Sequence, residues 1–233
     1  MIKLSDRLQA VASLCPIGAR VADIGTDHGY LPIYLIEAGI ASKAFAMDLR
    51  EGPLNSAADN IKSRGLEGKI TTRLSDGLEK LESNEADVIT ICGMGQRLIS
   101  DILTKGADKI RTDTTLILSP QSEIKEFRLF LLNNGFIIDN EDIILDDGKY
   151  YFIFVCKKAD TQTQQTFNEA ELRFGKLLLE RKNPVLKSFL LKEKSSSEAI
   201  LNNLKNNNPS NVSRIDELSM DIQIINQGLQ LFI

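Results

Sequence analysis

Between Leu4 and Leu14 the apolar positions Leu4, Leu8, Val11 and Ala12 fall on one helical face, and Ser5 stands where an N-cap belongs. Pro16 and Gly18 stop that helix, and the pattern then alternates between strand and helix. Strands are predicted over 20–24, 43–49, 69–74, 86–92 and 114–119, with helices over 29–38, 53–63, 96–103 and 123–134. Pro53 suits the first turn of its helix, and Asn134-Gly135 is a glycine C-cap. The 86–92 run is mostly apolar, as a strand buried on both faces should be. The rhythm then changes to two β-rich runs, 136–145 and 149–158, joined by the turn signal Asp146-Asp147-Gly148. The prediction is an α/β domain whose mainly parallel sheet carries one antiparallel strand at its end.

Beyond a polar linker at 160–165 the pattern is helical. One helix is expected over 167–182 and a second from Asn183-Pro184 to about 205. Asn206-Asn207-Asn208-Pro209 breaks the chain, and a third helix starts near Ser210. On the last helix Ile215, Leu218, Ile222, Ile225, Leu229 and Phe232 recur at alternating steps of three and four, a heptad seam. Leu186, Leu190, Ile200 and Leu204 form a matching seam, interrupted by Glu193 and Ser197. An antiparallel, coiled-coil-like hairpin accounts for both seams, and pairing with a second copy is the alternative. Two domains are therefore expected, 1–159 and 160–233.

Composition narrows the class. With 233 residues there is room for one large domain and an appendage, and no apolar run approaches the roughly 18 residues of a membrane span. The opening Met-Ile-Lys-Leu-Ser-Asp-Arg lacks the form of a signal peptide. The 3 cysteines, Cys15, Cys92 and Cys156, are far apart and make no C-x-x-C pair, and His28 is the 1 histidine. These features argue against a disulfide framework and against a metal site, and they suit the cytoplasm. A net charge of −4 makes the whole chain no obvious nucleic-acid binder. Arg181, Lys182, Lys187, Lys192 and Lys194 nevertheless cluster around a single acid, Glu193, either as a solvated helix face or as a phosphate-binding set.

The densest chemistry lies in Ala22-Asp23-Ile24-Gly25-Thr26-Asp27-His28-Gly29-Tyr30-Leu31. A strand tipped by a carboxylate, a glycine turn and a helix describe a nucleotide crevice at the carboxyl ends of parallel strands. Asp27 occupies the place of the second glycine of G-x-G-x-x-G. A carboxylate there disfavours a pyrophosphate and favours a ligand with positive charge, such as S-adenosylmethionine. Asp48, with Leu49 after it, ends the second strand, where a carboxylate meets ribose hydroxyls or else caps a helix. Ser75-Asp76-Gly77 ends the third strand, placing Asp76 to reach an adenine amino group, or forming a plain turn. Gly93-Met94-Gly95 follows the fourth strand, where two glycines let backbone approach a ligand. Cys92 reads as a small buried residue rather than a nucleophile, because no base stands near it in sequence. Gln121 lies on a further rim loop. Five βα units closing in a hairpin match class I methyltransferases better than a hydride-transfer domain.

Together the segments 22–31, Asp48…Glu51-Gly52-Pro53, Ser75-Asp76-Gly77-Leu78 and Ile91-Cys92-Gly93-Met94-Gly95 resemble the bacterial TrmK family, the tRNA (adenine-22-N1)-methyltransferases. The resemblance spans essentially the whole chain, including Lys182-Asn183-Pro184. It implies a class I Rossmann-like domain, S-adenosylmethionine as cofactor, a tRNA substrate and a C-terminal coiled-coil-like domain that helps hold the tRNA. Gln96, and Gln121 within Ser119-Pro120-Gln121, depart from the family pattern on the substrate rim.

The expected cofactor contacts are Asp23, Gly25, Thr26, Asp27, His28, Asp48, Leu49, Asp76, Gly77, Gly93, Met94 and Gly95. Asp27 and Tyr30 are the candidates for the reaction itself. N1 of adenine already carries a lone pair, so no base is needed, and a carboxylate would stabilise the charge that grows on the ring. Tyr30 or Phe152 would stack on the extracted base. Phosphate contacts would fall to Arg181, Lys182, Lys187, Lys192 and Lys194, with Lys3 and Arg7 as further candidates. A monomer is expected over an obligate oligomer. A methyltransferase for a small molecule and a non-catalytic binding module are the competing readings.

Overall fold

Parallel strands need long crossover connections, and the predicted helices supply them. The computed structural model describes residues 1–160 and 165–233, so 161–164 of the expected linker lie outside the described residues. In chain order the elements are α1 (Asp6–Ser13), β1 (Ala19–Ile24), α2 (Tyr30–Glu37), β2 (Ala41–Asp48), α3 (Glu51–Ser63), β3 (Ile70–Leu74), β4 (Val88–Cys92) and α4 (Gln96–Lys105). They continue with β5 (Thr115–Ser119), α5 (Ile124–Asn133), β6 (Phe136–Asp146), β7 (Lys149–Lys158), α6 (Glu169–Phe174), α7 (Lys176–Glu180), α8 (Pro184–Asn207) and α9 (Val212–Gln230). The chain divides into two compact units, Met1–Gln165 and Thr166–Ile233.

In the first unit one sheet runs β3-β2-β1-β4-β5-β7-β6. β1 pairs in parallel with both β2 and β4. The chain therefore leaves β1 toward one edge and returns on its other side. That reversal opens a crevice beyond the carboxyl ends of β1 and β4, the switch point of a doubly wound sheet. Val21, Ala22, Ile89, Ile91 and Leu116 are buried along these central strands. α1 seals one side of the core with Val11 and Ala12, and Ser5 caps it by accepting from the Leu8 N–H at 3.3 Å.

The hairpin departs from expectation in one respect. The single antiparallel strand, β7, does not end the sheet but lies between β5 and β6. Its sequence explains the order. Phe152, Ile153, Phe154 and Cys156 are all buried, so β7 takes the covered position, while β6 alternates and takes the edge. β6 carries a register irregularity between Ile138 and Asn140. There the Gln165 side chain accepts from the Ile138 N–H at 2.9 Å and donates to its carbonyl at 3.1 Å. A side-chain amide thus satisfies the open edge and keeps Gln165 with the sheet.

Arg128 of α5 lies fully buried beneath the hairpin. Its Nε donates to Glu141 Oε1 at 2.7 Å, and its guanidinium carbon sits 5.3 and 5.0 Å from the Phe152 and Phe154 ring centroids. Burial pulls the Arg128 pKa down, against the charge of Glu141, which holds it up. Phe152 is therefore a core residue and no platform for a base, contrary to the sequence expectation.

In the second unit the expected 167–182 helix is two short ones, α6 and α7, because Gly175 takes φ +95° between them. Asn168 and Glu171 form a capping box on α6. Asn183 caps α8, with Pro184 in the first turn. α8 and α9 pack on one another as a helical hairpin. Leu218 and Ile225 of the predicted seam are buried, as are Leu186 and Leu190. Ile200, however, is 49% exposed, and Leu201 takes the half-buried position instead. The α8 seam runs on through Lys194 and Ser197, a polar stretch that only long stems and small side chains can fill.

Candidate functional site

The turn after β1 decides the shape of the crevice. Gly25 takes φ +74°, and its N–H and that of Thr26 both donate to the Met47 carbonyl, at 2.8 and 2.9 Å. A Cβ on Gly25 would meet only the mobile end of Met94, so it is the left-handed backbone at this position that favours glycine. His28 and Gly29 follow with φ of +55° and +70°. Asn60 of α3 holds the His28 carbonyl at 2.9 Å, and a Cβ on Gly29 would stand 3.1 Å from Ala57. Only His28 is strained by this conformation, and Asp27 before it stands in the open, its side chain 83% exposed.

Gly25, Asp48, Leu49, Asp76, Gly77 and Met94 line one cavity of about 250 Å³ between the strand ends. All six are among the expected cofactor contacts. Five further residues share its wall: Ile24 and Ser75, which belong to the motifs quoted from the sequence, and Arg50, Leu98 and Ile102, which do not. Leu98 gave a faint signal, since it is an apolar residue of α4 off the stripe that buries Ile99 and Leu103. Leu49 and Leu98, 63% and 50% exposed, form an open apolar slot at the mouth. The Asp48 carboxylate is buried at the floor, where Oδ1 accepts from the Arg50 N–H at 2.8 Å. Ser75 shapes the opposite wall by donating to the Gly77 carbonyl at 2.9 Å.

Other expected contacts lie outside that wall. Asp23 sits beneath it, buried, and accepts from Thr90 Oγ1 at 2.7 Å. Burial raises the Asp23 pKa, opposed by the Thr90 hydrogen bond. The buried Thr26 hydroxyl leans on the same carboxylate but makes no hydrogen bond of good geometry. Asp23→Asn should retain an acceptor for Thr90 while removing the penalised charge. Because the folded pKa is raised, wild-type stability falls as pH climbs from the unfolded carboxylate value through the folded one. The variant should therefore gain on wild type over that rise, which denaturation at several pH values would measure.

His28 Nε2 lies 3.3 Å from Asp27 Oδ1, and its ring stacks on Tyr30 with centroids 5.4 Å apart. Tyr30 is 37% exposed. None of these three lines the cavity, and of the Gly93-Met94-Gly95 loop only Met94 does. The Gln121 N–H donates to the Met94 carbonyl at 3.0 Å, tying the β5 loop to the β4 loop. The Cys92 thiol is pushed up by burial and then by Asp23, so it is no thiolate near neutral pH. Among the described residues no group of three His, Cys, Asp or Glu side chains is placed to hold a metal ion, and no helix is long and apolar enough to cross a membrane.

The five clustered cations between 181 and 194 do not form one face. Arg181 and Lys182 lie in the turn between α7 and α8, where Lys182 Nζ donates to the Ile233 carbonyl at 3.0 Å. Lys187 and Lys194 are two turns apart on one side of α8, whereas Lys192 points elsewhere at helical spacing.

The family model for TrmK, tRNA (adenine(22)-N(1))-methyltransferase, matches residues 21–227. A tRNA (adenine(22)-N(1))-methyltransferase of Bacillus subtilis (strain 168) is 34% identical over 230 residues, covering 97% of each chain. The structure of Streptococcus pneumoniae Sp1610 in complex with S-adenosyl-L-methionine superposes with a TM-score of 0.86 at 36% identity, over 97% of this chain and 100% of that one. M. capricolum TrmK in complex with S-adenosyl-homocysteine gives a TM-score of 0.83 at 34% identity, over 99% of both chains.

Proposed function

The chain belongs to the TrmK family of tRNA (adenine(22)-N(1))-methyltransferases, and from that premise we propose how its residues carry out S-adenosylmethionine-dependent methylation of N1 of adenine 22 in tRNA. The observation that carries the assignment of roles is the lining of the 250 Å³ cavity: a buried carboxylate, an apolar slot and a glycine turn in one crevice. That donor set fits an adenosine-bearing cation. Asp48 accepts from the ribose hydroxyls, Leu49, Leu98 and Ile102 hold the flat base, and Asp76 meets its exocyclic amine. Gly25 lets the backbone lie close to the ligand, with Met94 packed across from it. When bound, the cofactor supplies an electrophilic methyl group on a sulfonium.

The protein's remaining task is alignment and charge. Adenine N1 presents its own lone pair, so the chain needs no general base. Asp27 at the rim faces positive charge, either the cofactor's ammonium or the charge that develops on the methylated ring. Asp23, beneath the floor, positions the β1 and β4 loops through Thr90 and adds to the same negative potential. Tyr30, braced by His28, receives the extracted base. Tyr30→Ala should raise KM for tRNA with little change in cofactor affinity, by the roughly 1–3 kcal/mol of a base–aromatic stack. Steady-state kinetics beside calorimetry of cofactor binding separates the two.

Residues 160–233 contact the tRNA in this reading, through Arg181, Lys182, Lys187, Lys192 and Lys194 binding phosphates. The protein acts as a monomer in this reading, and the tRNA substrate supports a cytoplasmic location. Transfer of tritium from labelled cofactor to N1 of adenine 22 in unmodified tRNA tests the reaction. Arg181→Glu/Lys182→Glu should weaken tRNA binding and flatten its salt dependence while cofactor binding is kept. Unchanged tRNA affinity in that variant would remove the role given to the helical unit.

A further inference from the structure

Arg7 belongs to α1, yet its guanidinium reaches the loops that follow β4 and β5. A Cβ on Gly93 would stand 3.2 Å from Arg7 Nη1 and 3.8 Å from the side-chain amide nitrogen of Gln121. The hairpin fixes the base of the side chain. The Arg7 N–H donates to Asp146 Oδ2 at 3.1 Å, and the guanidinium carbon lies 5.2 Å from the Tyr151 ring centroid. Nη1 is nevertheless buried without a hydrogen-bond partner among the described residues. Leaving a buried donor unmet is costly, and more so for a charged group. The residue as a whole keeps partial exposure, so Arg7 is not sealed off from solvent.

We propose that Arg7 binds a phosphate flanking the target adenosine and so holds that nucleotide over the Gly93-Met94-Gly95 loop. The proposal rests on the tRNA reading above and adds to it a positioning residue on the first unit. Two arguments select phosphate over a base edge. A planar guanidinium matches two phosphate oxygens at once, whereas adenine presents it single acceptors. The ring also becomes cationic as N1 takes the methyl group, and a guanidinium bonded to it would oppose that charge. Bound to phosphate, the same cation is neutralised by its own ligand.

The test uses the full-length protein and tRNA carrying one methylphosphonate linkage, which removes a phosphate charge, on either side of adenosine 22. In wild type one of the two linkages should lower kcat/KM about tenfold to a hundredfold, the range of a charge-assisted hydrogen bond. Arg7→Gln should show the same loss on normal tRNA, mostly in KM, and no further loss on that linkage. Its salt slope should be shallower by about 0.7–0.9. Arg7→Lys should recover part of the loss, and calorimetry should find cofactor affinity unchanged. Losses that simply multiply, or an Arg7→Gln enzyme as active as wild type, would overturn the proposal. So would loss of the Arg7 effect when adenosine 22 is replaced by 7-deazaadenosine, which would mark a base contact. If Arg7→Gln fails to fold, indifference of wild type to both linkages overturns it equally. Absence of methyl transfer by wild type to normal tRNA would instead sink the underlying reading.

Discussion

Arg128→Met is expected to lower the stability of the protein by about 3–5 kcal/mol, because it takes the guanidinium away from the buried Glu141 carboxylate. The wild-type pair is enclosed, with side chains 0% and 1% exposed, and two phenyl rings cover the guanidinium. Such a pair need not stabilise relative to a well-packed apolar substitute. Arg128→Met/Glu141→Leu should therefore recover most of the loss. Urea denaturation of the two variants measures the difference directly. Equal destabilisation by both would mean that packing under the hairpin matters more than the lost ion pair. Because the pair lies between α5 and β6, away from the crevice, the double variant should keep its affinity for the cofactor.

Asp48→Ala is expected to weaken cofactor binding on the order of a hundredfold or more, two ribose hydroxyls each losing a charge-assisted bond of about 1.5–3 kcal/mol. The carboxylate is held ready by the Arg50 N–H at 2.8 Å, so little ordering is lost on binding. Calorimetry would read the effect, and stability should fall far less than for Arg128→Met. An unchanged dissociation constant would leave Asp48 as a simple cap on the turn before α3 and would shift the ribose contact elsewhere in the crevice.

Much of the cavity wall was legible along the chain because parallel strands put their carboxyl ends on one side. Asp48, Asp76 and Met94 each end a strand or follow one, and strand ends can be located from apolar runs and glycine turns. Leu98 and Ile102 were not legible as site residues. They belong to a helix whose rotation about its axis depends on what Gly77 and Leu78 pack against. Arg128 and Phe152 were misjudged or passed over for a related reason, since a charge or an aromatic ring in an alternating strand or helix reads as outward-facing until its partner is known. The seam of α8 shows the limit of periodicity. Step counting favours Ile200, but packing half-buries Leu201, one residue further along.

The sequence by itself determined the succession of strands and helices, the turn glycines, the hairpin and the acids that tip the strands, because these depend on local periodicity and backbone conformation. Tertiary structure alone decided that the sheet reverses between β1 and β4, that β7 lies inside β6, that Asp23 supports the floor rather than lining it, and that Arg7 reaches Gly93. Those outcomes depend on which distant surfaces cover one another. Burial, unlike a turn, is a property of two partners, and one of them is always elsewhere in the chain.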